Sequence, residues 1–152
     1  MHKYYNKKGF TIIEMLITIT IVVVISMIAS FTYKGNIDAA NNSLAGSDLK
    51  ALSLLIENYY LENGSYPNNL DEINNANFLD PWGKPYSYLN LTSGNQIGNA
   101  RKDRNLVPIN SNYDLYSDGK DGDSRPPLAS PVSHDDIIYA SDGEYIGIAS
   151  SF

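Results

Sequence analysis

The chain divides into two stretches with different hydrophobic patterns, and the first is a nearly unbroken apolar run. From Thr11 to Thr32 the only charged residue is Glu14, and a few hydroxyl side chains lie among the aliphatic ones. As a helix rising 1.5 Å per residue, this stretch would measure about 33 Å, which is enough to cross a hydrocarbon core of about 30 Å. The pattern therefore predicts a membrane-spanning helix near the amino terminus.

The next stretch has helical periodicity instead of continuous hydrophobicity. Apolar residues recur at spacings near three and four, and most charged residues fall on other faces of the helix. The expected apolar face consists of Ile37, Ala40, Leu44, Leu52, Leu55, Ile56, Tyr59 and Tyr60. We predict one helix from about Thr11 to Glu62, with an amphipathic second half that packs on a folded domain. Asn63-Gly64 should end this helix, because glycine suits the left-handed cap.

Beyond Gly64 the chain is rich in turn-forming residues, and its apolar segments are short. Leu70 to Ile73 predicts a short helix, and alternating segments predict strands near residues 86–91, 113–117 and 137–139. A turn at residues 141–144 should lead into a closing strand. Trp82 is expected to anchor the core and to need a partner for its indole N–H. The pattern as a whole predicts an α+β fold with a long amino-terminal helix on a small antiparallel sheet.

Composition limits the domain count and the classes of partner. The chain has 152 residues, a formal charge of −6 and no cysteine. One membrane segment leaves about 120 residues, which is room for one small domain. The acidic balance argues against a nucleic-acid partner held by a basic face. Because there is no cysteine, disulfides cannot fasten the loops of an exported domain, and something else must do so.

Charges around the apolar run predict its orientation. Lys3, Lys7 and Lys8 precede the run, whereas the single Lys34 is the next positive residue after it. The excess of positive charge on cytoplasmic flanks therefore places the amino terminus in the cytoplasm and the domain outside.

Glu14 is the unusual residue of the apolar run. A carboxylate inside a membrane helix costs on the order of a few kcal/mol near mid-bilayer and by default marks a functional site with a partner. It lies only about one turn past Gly9, so a second interpretation is an acid tolerated at the interface, where it reaches headgroups or water. Position alone leaves both interpretations open.

The string from Lys7 to Leu16, Lys-Lys-Gly-Phe-Thr-Ile-Ile-Glu-Met-Leu, resembles the leader of type IV pilins and type II secretion pseudopilins. That resemblance implies that a prepilin peptidase cuts between Gly9 and Phe10 and methylates the new amino terminus of Phe10. It divides the chain into a removed leader (1–9), a transmembrane and assembly helix (10–33) and an exported domain (34–152). The alternative is a conventional secretory signal cut near Ala29-Ser30, which would remove the helix.

Two later strings resemble the major, G-type pseudopilins more narrowly. One is Tyr60-Leu61-Glu62-Asn63-Gly64-Ser65-Tyr66-Pro67, and the other is Asp80-Pro81-Trp82-Gly83-Lys84-Pro85-Tyr86. In the first string, Pro67 prevents the helix from resuming and lets Tyr66 pack back on it. The resemblance covers residues 7–33, 59–88 and, with gaps, 114–137. It implies a pilin-like fold.

Acidic residues are concentrated in two turns near the carboxy terminus. Strand pairing should bring together five carboxylates: Asp118, Asp121, Asp123, Asp135 and Asp136. Calcium prefers six to eight oxygen ligands and tolerates irregular loops, whereas zinc and copper lack the Cys and His ligands they favour. A solvated acidic loop is the alternative, and the residues alone leave it open.

The resemblance to G-type pseudopilins adds a ligand set for one calcium ion. It implies Asp121, Asp135 and Asp136 as carboxylate ligands, with backbone carbonyls near Asp118 and Ser133 completing the shell. Two departures from the family pattern leave the ligand set open. His134 replaces the first acidic residue of the family's triplet, and the insert from Asp123 to Val132 is longer than usual.

The segment from residue 92 to 109 is expected to be a polar loop. Its basic cluster, Arg101-Lys102-Asp103-Arg104, would either face acidic neighbours in a filament or lie in solvent.

The resemblance implies a structural function, not an enzymatic one. The expected role is the repeating subunit of a type II secretion pseudopilus at the inner membrane. Its partners would be further copies of the chain, minor pseudopilins, the inner-membrane assembly platform and prepilin peptidase. In such a filament Glu14 would neutralise the methylated amino terminus of Phe10 in a neighbour and set the axial register.

Two other functions are alternatives to the pseudopilus subunit. A type IV or competence pilin for adhesion, motility or DNA uptake shares the superfamily. A membrane-anchored enzyme would have to use His134, Asp135 and Asp136, but no Ser or Cys nucleophile motif accompanies them.

Overall fold

The computed structural model describes residues 9–74, 78–94 and 97–152. The chain separates into two compact units, divided between Asp38 and Ala39. The expected leader, except for Gly9, lies outside the described residues.

The first helix, α1, runs from Ile12 to Asn63. The predicted range of Thr11 to Glu62 is thus confirmed to within one residue at each end. At its start Thr11 and Glu14 form a reciprocal cap. The Thr11 hydroxyl accepts the Glu14 backbone N–H at 3.3 Å, and the Glu14 carboxylate accepts the Thr11 backbone N–H at 2.8 Å. This is the capping-box arrangement, which satisfies two N–H groups that a helix end leaves unpaired.

In the first unit α1 exposes its apolar side chains. Ile12 is 83% exposed, Leu16 60% and Ile28 64%, and the described aliphatic residues between them are exposed to a similar degree. By length and composition, this is the one helix among the described residues that could cross a membrane.

In the second unit α1 buries one stripe against the sheet. The buried residues are Ala45, Leu49, Leu52 and Ile56, at spacings of four, three and four. The predicted face was partly wrong, because Leu44 is 53% exposed and Tyr60 40% exposed. A β-carbon on Gly46 would lie 3.6 Å from the Ile146 side chain, an ordinary van der Waals distance, so Gly46 lies on the side of the helix that faces the sheet.

Four short strands form one antiparallel sheet in the order of the sequence. They are β1 (Ser87–Asn90), β2 (Tyr113–Ser117), β3 (Ile137–Ala140) and β4 (Tyr145–Ile148). The register pairs Tyr88 with Leu115, Leu115 with Tyr139 and Tyr139 with Ile146. A second helix, α2, is the single turn Asp71–Asn74. The short 3-10 helices are Ile97–Asn99, Pro131–Ser133, Ser141–Gly143 and Ala149–Ser151. The predicted α+β fold is confirmed.

The sheet has a core on each face, because neighbouring residues of β3 point in opposite directions. Ile137 and Tyr139 join the core beneath α1, whereas Ile138 and Ala140 join a second core with Ile109, Leu128 and Ala149. The segment expected to be a polar loop over residues 92–109 therefore covers the second face in part. Leu128, from the long insert, is only 3% exposed there.

The exit of α1 follows the prediction. Gly64 has φ of +72°, and its N–H donates to the carbonyl of Tyr60 at 2.8 Å, which closes the left-handed cap. The Tyr66 ring returns to stack on Tyr60 with ring centroids 4.5 Å apart, and its hydroxyl donates to Glu57 at 3.3 Å. Burial and the nearby Glu57 carboxylate raise the pKa of Tyr66 to about 12.

Asp80 organises the turn that carries Trp82. Its carboxylate accepts the backbone N–H groups of Trp82 at 3.0 Å and Lys84 at 2.8 Å, and the Ser117 hydroxyl at 2.5 Å. Trp82 is half-buried and packs against the core beneath α1, as expected. Its indole N–H is buried without a hydrogen-bond partner among the described residues, so the expected partner is not found there.

Candidate functional site

The amino-terminal candidate site consists of the expected cleavage position, Gly9-Phe10, and the capped helix that follows it. Gly9 has open space around it, and Phe10 is 78% exposed. The Glu14 carboxylate accepts hydrogen bonds from the backbone and the hydroxyl of Thr11, the latter at 2.9 Å. Within the part of the chain that the structure describes, Glu14 has no ion pair. Its charge is therefore hydrogen-bonded but not neutralised.

The second candidate site is the acidic loop between β2 and β3. Strand pairing sets Ser117 opposite Ile137 and brings the turn at residues 118–123 next to Asp135 and Asp136, as predicted. Asp135 fastens that turn directly, because its carboxylate accepts the backbone N–H groups of Lys120 at 2.9 Å and Asp121 at 3.0 Å. Asp121 closes its own turn by accepting the N–H of Asp123 at 2.8 Å.

Gly119 shows how closely the two turns pack. It has φ of +68°, and a β-carbon there would lie 2.5 Å from the Asp135 carbonyl oxygen. Both the left-handed backbone and the lack of space require glycine at this position.

Asp136 has a different partner from the one the sequence predicts. It is fully buried, and its Oδ2 is bonded to the guanidinium of Arg101 and, at 2.6 Å, to the Ser124 hydroxyl. Burial raises the pKa of Asp136, whereas the Ser124 hydrogen bond and the Arg101 charge lower it. Its Oδ1 is buried and has no hydrogen-bond partner among the described residues. Burial also raises the pKa of Asp118, with partial offset from the Ser87 hydroxyl and Lys84.

Arg101 is the residue that sequence reasoning misplaced. The expectation was a basic cluster facing solvent or a filament neighbour, but the Arg101 side chain is only 2% exposed. Its guanidinium donates to Ser124, to the Arg125 carbonyl at 2.7 Å and to Asp136, and lies 4.3 Å from the centre of the Tyr116 ring. Arg104, in the same cluster, is exposed as expected. The sequence did contain one sign of this pairing. Several carboxylates were predicted to lie together, and no positively charged residue had been assigned to them.

The oxygen atoms implied as calcium ligands are not arranged as the predicted calcium site requires. The described residues contain no group of three or more His, Asp or Glu side chains able to hold a metal ion. Asp136 is engaged by a cation already, and Asp135 directs one oxygen at two backbone N–H groups. The buried Ser133 hydroxyl exchanges hydrogen bonds with the Arg125 backbone, both at 2.9 Å. Among the three implied carboxylate ligands, Asp136 has a buried oxygen, Oδ1, without a hydrogen-bond partner among the described residues, but its other oxygen is bound to Arg101.

The three residues of the enzyme alternative do not converge on a common point. His134 is exposed, the Asp135 carboxylate accepts hydrogen bonds from backbone N–H groups, and Asp136 is buried in an ion pair with Arg101. This arrangement offers no nucleophile held by a base.

Comparison with known proteins defines first a class and then a family. Residues 4–30 match the family model described as the prokaryotic N-terminal methylation motif. The chain is 30% identical over 136 residues to type II secretion system core protein G of Klebsiella pneumoniae, covering 87% of this chain and 93% of the relative. It is also 30% identical over 140 residues to the protein of that name from Xanthomonas campestris pv. campestris, covering 88% and 90%.

The Escherichia coli K12 protein of the same name is 30% identical over 128 residues, covering 78% of this chain and 85% of the relative. The chain therefore belongs to the type II secretion system core protein G family. No solved structure gives a significant match.

Proposed function

We propose that the chain is a structural subunit of a type II secretion pseudopilus, which assembles through its amino-terminal helix and helps to move folded proteins across the outer membrane. One observation carries the proposal: the similarity to the core protein G relatives extends over the domain as well as the helix. The methylation motif by itself covers residues 4–30 and is equally consistent with other pilin-like proteins. The architecture supports the same role, because an exposed apolar helix and a separately packed domain are what a helix-bundled filament requires.

Maturation is the first step of this proposal. Prepilin peptidase would cut between Gly9 and Phe10 on the cytoplasmic face and methylate the new amino group of Phe10. The exposure of Phe10 and the open space around Gly9 support access by a protease. The chain would then remain a single-pass inner-membrane protein with its domain outside, consistent with the three lysines before the apolar run.

Assembly is the second step. The apolar surface of α1 would pack against the same surface of other copies, and Glu14 would neutralise the methylated amino terminus of Phe10 in a neighbouring copy. The support is that Glu14 is hydrogen-bonded without an ion pair among the described residues. Minor pseudopilins and the inner-membrane assembly platform complete the set of proposed partners.

Calcium at the acidic loop stays a prediction of the resemblance. With Asp136 engaged by Arg101, an ion would keep two of the three implied carboxylates, Asp121 and Asp135, and the carbonyls near Asp118 and Ser133. No step of the proposed function depends on the ion.

The test of function is deletion and complementation in the source organism. We expect deletion to abolish release of secreted enzymes into the medium and the intact gene to restore it. Normal secretion with loss of twitching motility or DNA uptake would overturn the proposal in favour of a type IV or competence pilin.

Mass spectrometry of the extracted protein tests maturation separately. We expect an amino terminus at N-methylated Phe10. A mature chain that starts near Phe31 would contradict the proposal, because the conventional secretory signal would then be the correct interpretation.

A further inference from the structure

Two cationic side chains reach the acidic loop from other parts of the chain. Arg101 lies before β2, and Lys84 lies in the turn before β1. Each contacts oxygen atoms of the segment between Gly122 and Asp136, the segment for which the resemblance implies a metal ion. The sequence separation is 35 residues for the Arg101 contact with Asp136 and 38 for the Lys84 contact with Gly122.

Arg101 gathers three oxygens around one guanidinium. These are the Ser124 hydroxyl, the Arg125 carbonyl and the Asp136 carboxylate, two of which belong to the insert and one to the residue directly before β3. The Tyr116 ring covers the guanidinium plane at 4.3 Å, and the Arg101 backbone N–H donates to the buried Asp114 carboxylate at 2.6 Å. Arginine thus binds carboxylate, hydroxyl and carbonyl oxygens together, as a bound cation would.

Lys84 contacts the first turn of the acidic loop, which follows β2. Its ammonium donates to the Gly122 carbonyl at 2.6 Å. A β-carbon on Gly122 would lie 1.7 Å from that nitrogen, so the glycine makes room for the cation. Lys84 is itself positioned by Asp80, which accepts its backbone N–H at 2.8 Å.

We propose that Arg101 and Lys84 are resident cations that fasten the acidic loop, so that the domain closes without a divalent ion and Asp136 is not available as a metal ligand. The geometry favours this assignment over an ion, because the guanidinium is already bound to Oδ2 of Asp136 and the described residues contain no group of three or more His, Asp or Glu side chains placed to hold a metal ion. It also accounts for loop closure without cysteine, since Arg101 binds the long insert and Lys84 binds the turn that precedes it. The inference concerns the domain alone and does not depend on the secretion role.

Energetics make the inference testable. A buried ion pair contributes little over an apolar pair, but removal of one partner leaves an uncompensated buried charge and is strongly destabilising. Removal of Arg101 should therefore weaken the domain and at the same time release Asp136 to an external cation. The response to an external cation is the deciding observation. It is expected if Arg101 is the counter-ion of Asp136, and it is not expected if the Arg101 side chain contributes only packing.

The experiment measures thermal unfolding of the full-length protein in detergent, with Trp82 fluorescence as the signal, in a chelator and in millimolar calcium chloride. For the unsubstituted protein we expect the same Tm, within about 1 °C, in both conditions. For Arg101→Met we expect a Tm lower by about 10 °C or more, partly restored by calcium. Arg104→Met is the matched control, because it removes an exposed guanidinium from the same segment, and it should behave as the unsubstituted protein does.

Three results would overturn the inference. One is a clear rise of Tm with calcium in the unsubstituted protein. Another is an Arg101→Met protein that is no less stable than Arg104→Met. The third is an Arg101→Met protein that loses stability but gains no response to calcium.

If Arg101→Met does not fold, Lys84→Met takes its place in the comparison, with a smaller expected loss of about 3 °C or more. Secretion assays play no part in this test, so its failure and the failure of the proposed function are distinguishable.

Discussion

The two units of the chain each contain a carboxylate in apolar or buried surroundings, and the two carboxylates have different partners. In the first unit Glu14 lies in an exposed apolar helix and is hydrogen-bonded to Thr11, with no ion pair among the described residues. In the second unit Asp136 is fully buried and meets a guanidinium from the same chain. The domain therefore pairs the Asp136 charge internally, whereas the Glu14 charge would be paired by another copy of the chain in the proposed filament. One arrangement suits a folded monomer and the other suits an assembling one.

The largest expected effect is at Glu14. Glu14→Ala should leave membrane insertion intact and abolish or misregister filament assembly, because both the charge and the cap are lost. Glu14→Gln separates the two roles, since glutamine keeps the capping box but has no charge. We expect Glu14→Gln to fail in assembly as well, measured as sheared filament protein against total membrane protein.

Normal assembly of Glu14→Gln would show that the helix cap, not the ion pair, is what Glu14 contributes. Glu62→Ala is the control, because it removes an exposed carboxylate from the other end of α1.

The next effect concerns the domain core. Leu49 is fully buried, whereas Leu44, five positions earlier on the same helix, is 53% exposed. Leu49→Ala should lower the free energy of unfolding by about 3 kcal/mol through lost burial and a cavity. Leu44→Ala should change it by less than about 0.5 kcal/mol.

Denaturant titration of the full-length protein in detergent measures both Leu variants. Equal losses in the two would show that the buried stripe is wrongly placed and that the helix faces the sheet as the sequence suggested.

The smallest effect concerns the packing of the acidic turn. Gly119 and Gly64 both have φ near +70°, but Gly64 has open space where a β-carbon would lie and Gly119 does not. Gly64→Ala should cost about 1 kcal/mol for the backbone conformation. Gly119→Ala should cost about 2 kcal/mol or more, because the turn must also move away from Asp135. A Gly119→Ala protein as stable as Gly64→Ala would indicate that the turn does not pack on Asp135.

The sequence predicted the elements that depend on local patterns. The limits of α1 followed from its continuous hydrophobicity and from Gly64, and the four strands followed from alternation between turns. The buried face of α1 was partly missed because both Leu44 and Leu49 fit a helical apolar spacing, and only packing against the sheet decides that Leu49 is the buried one. The capping box at Thr11 and Glu14 was not predicted, although the two residues have the motif's spacing of three.

The partner of Asp136 could not be predicted in the same way. The approach of the turn at residues 118–123 to Asp135 followed from strand pairing, but Arg101 enters from a loop 35 residues before Asp136. A sequence shows that carboxylates need a counter-charge and does not show which of several cations is buried. Burial of Arg101, and not of Arg104, depends on Tyr116 and on the insert packing over the second face of the sheet.

The Asp135 carboxylate has a consequence for amide hydrogen exchange. It accepts the N–H groups of Lys120 and Asp121, and Asp114 accepts the N–H of Arg101, although none of these three donors lies in a helix or strand. Loop amides normally exchange quickly because local opening exposes them to solvent. Here each N–H is held by a carboxylate from another part of the chain. We therefore expect the Lys120, Asp121 and Arg101 amides to exchange more slowly than loop amides without such a partner.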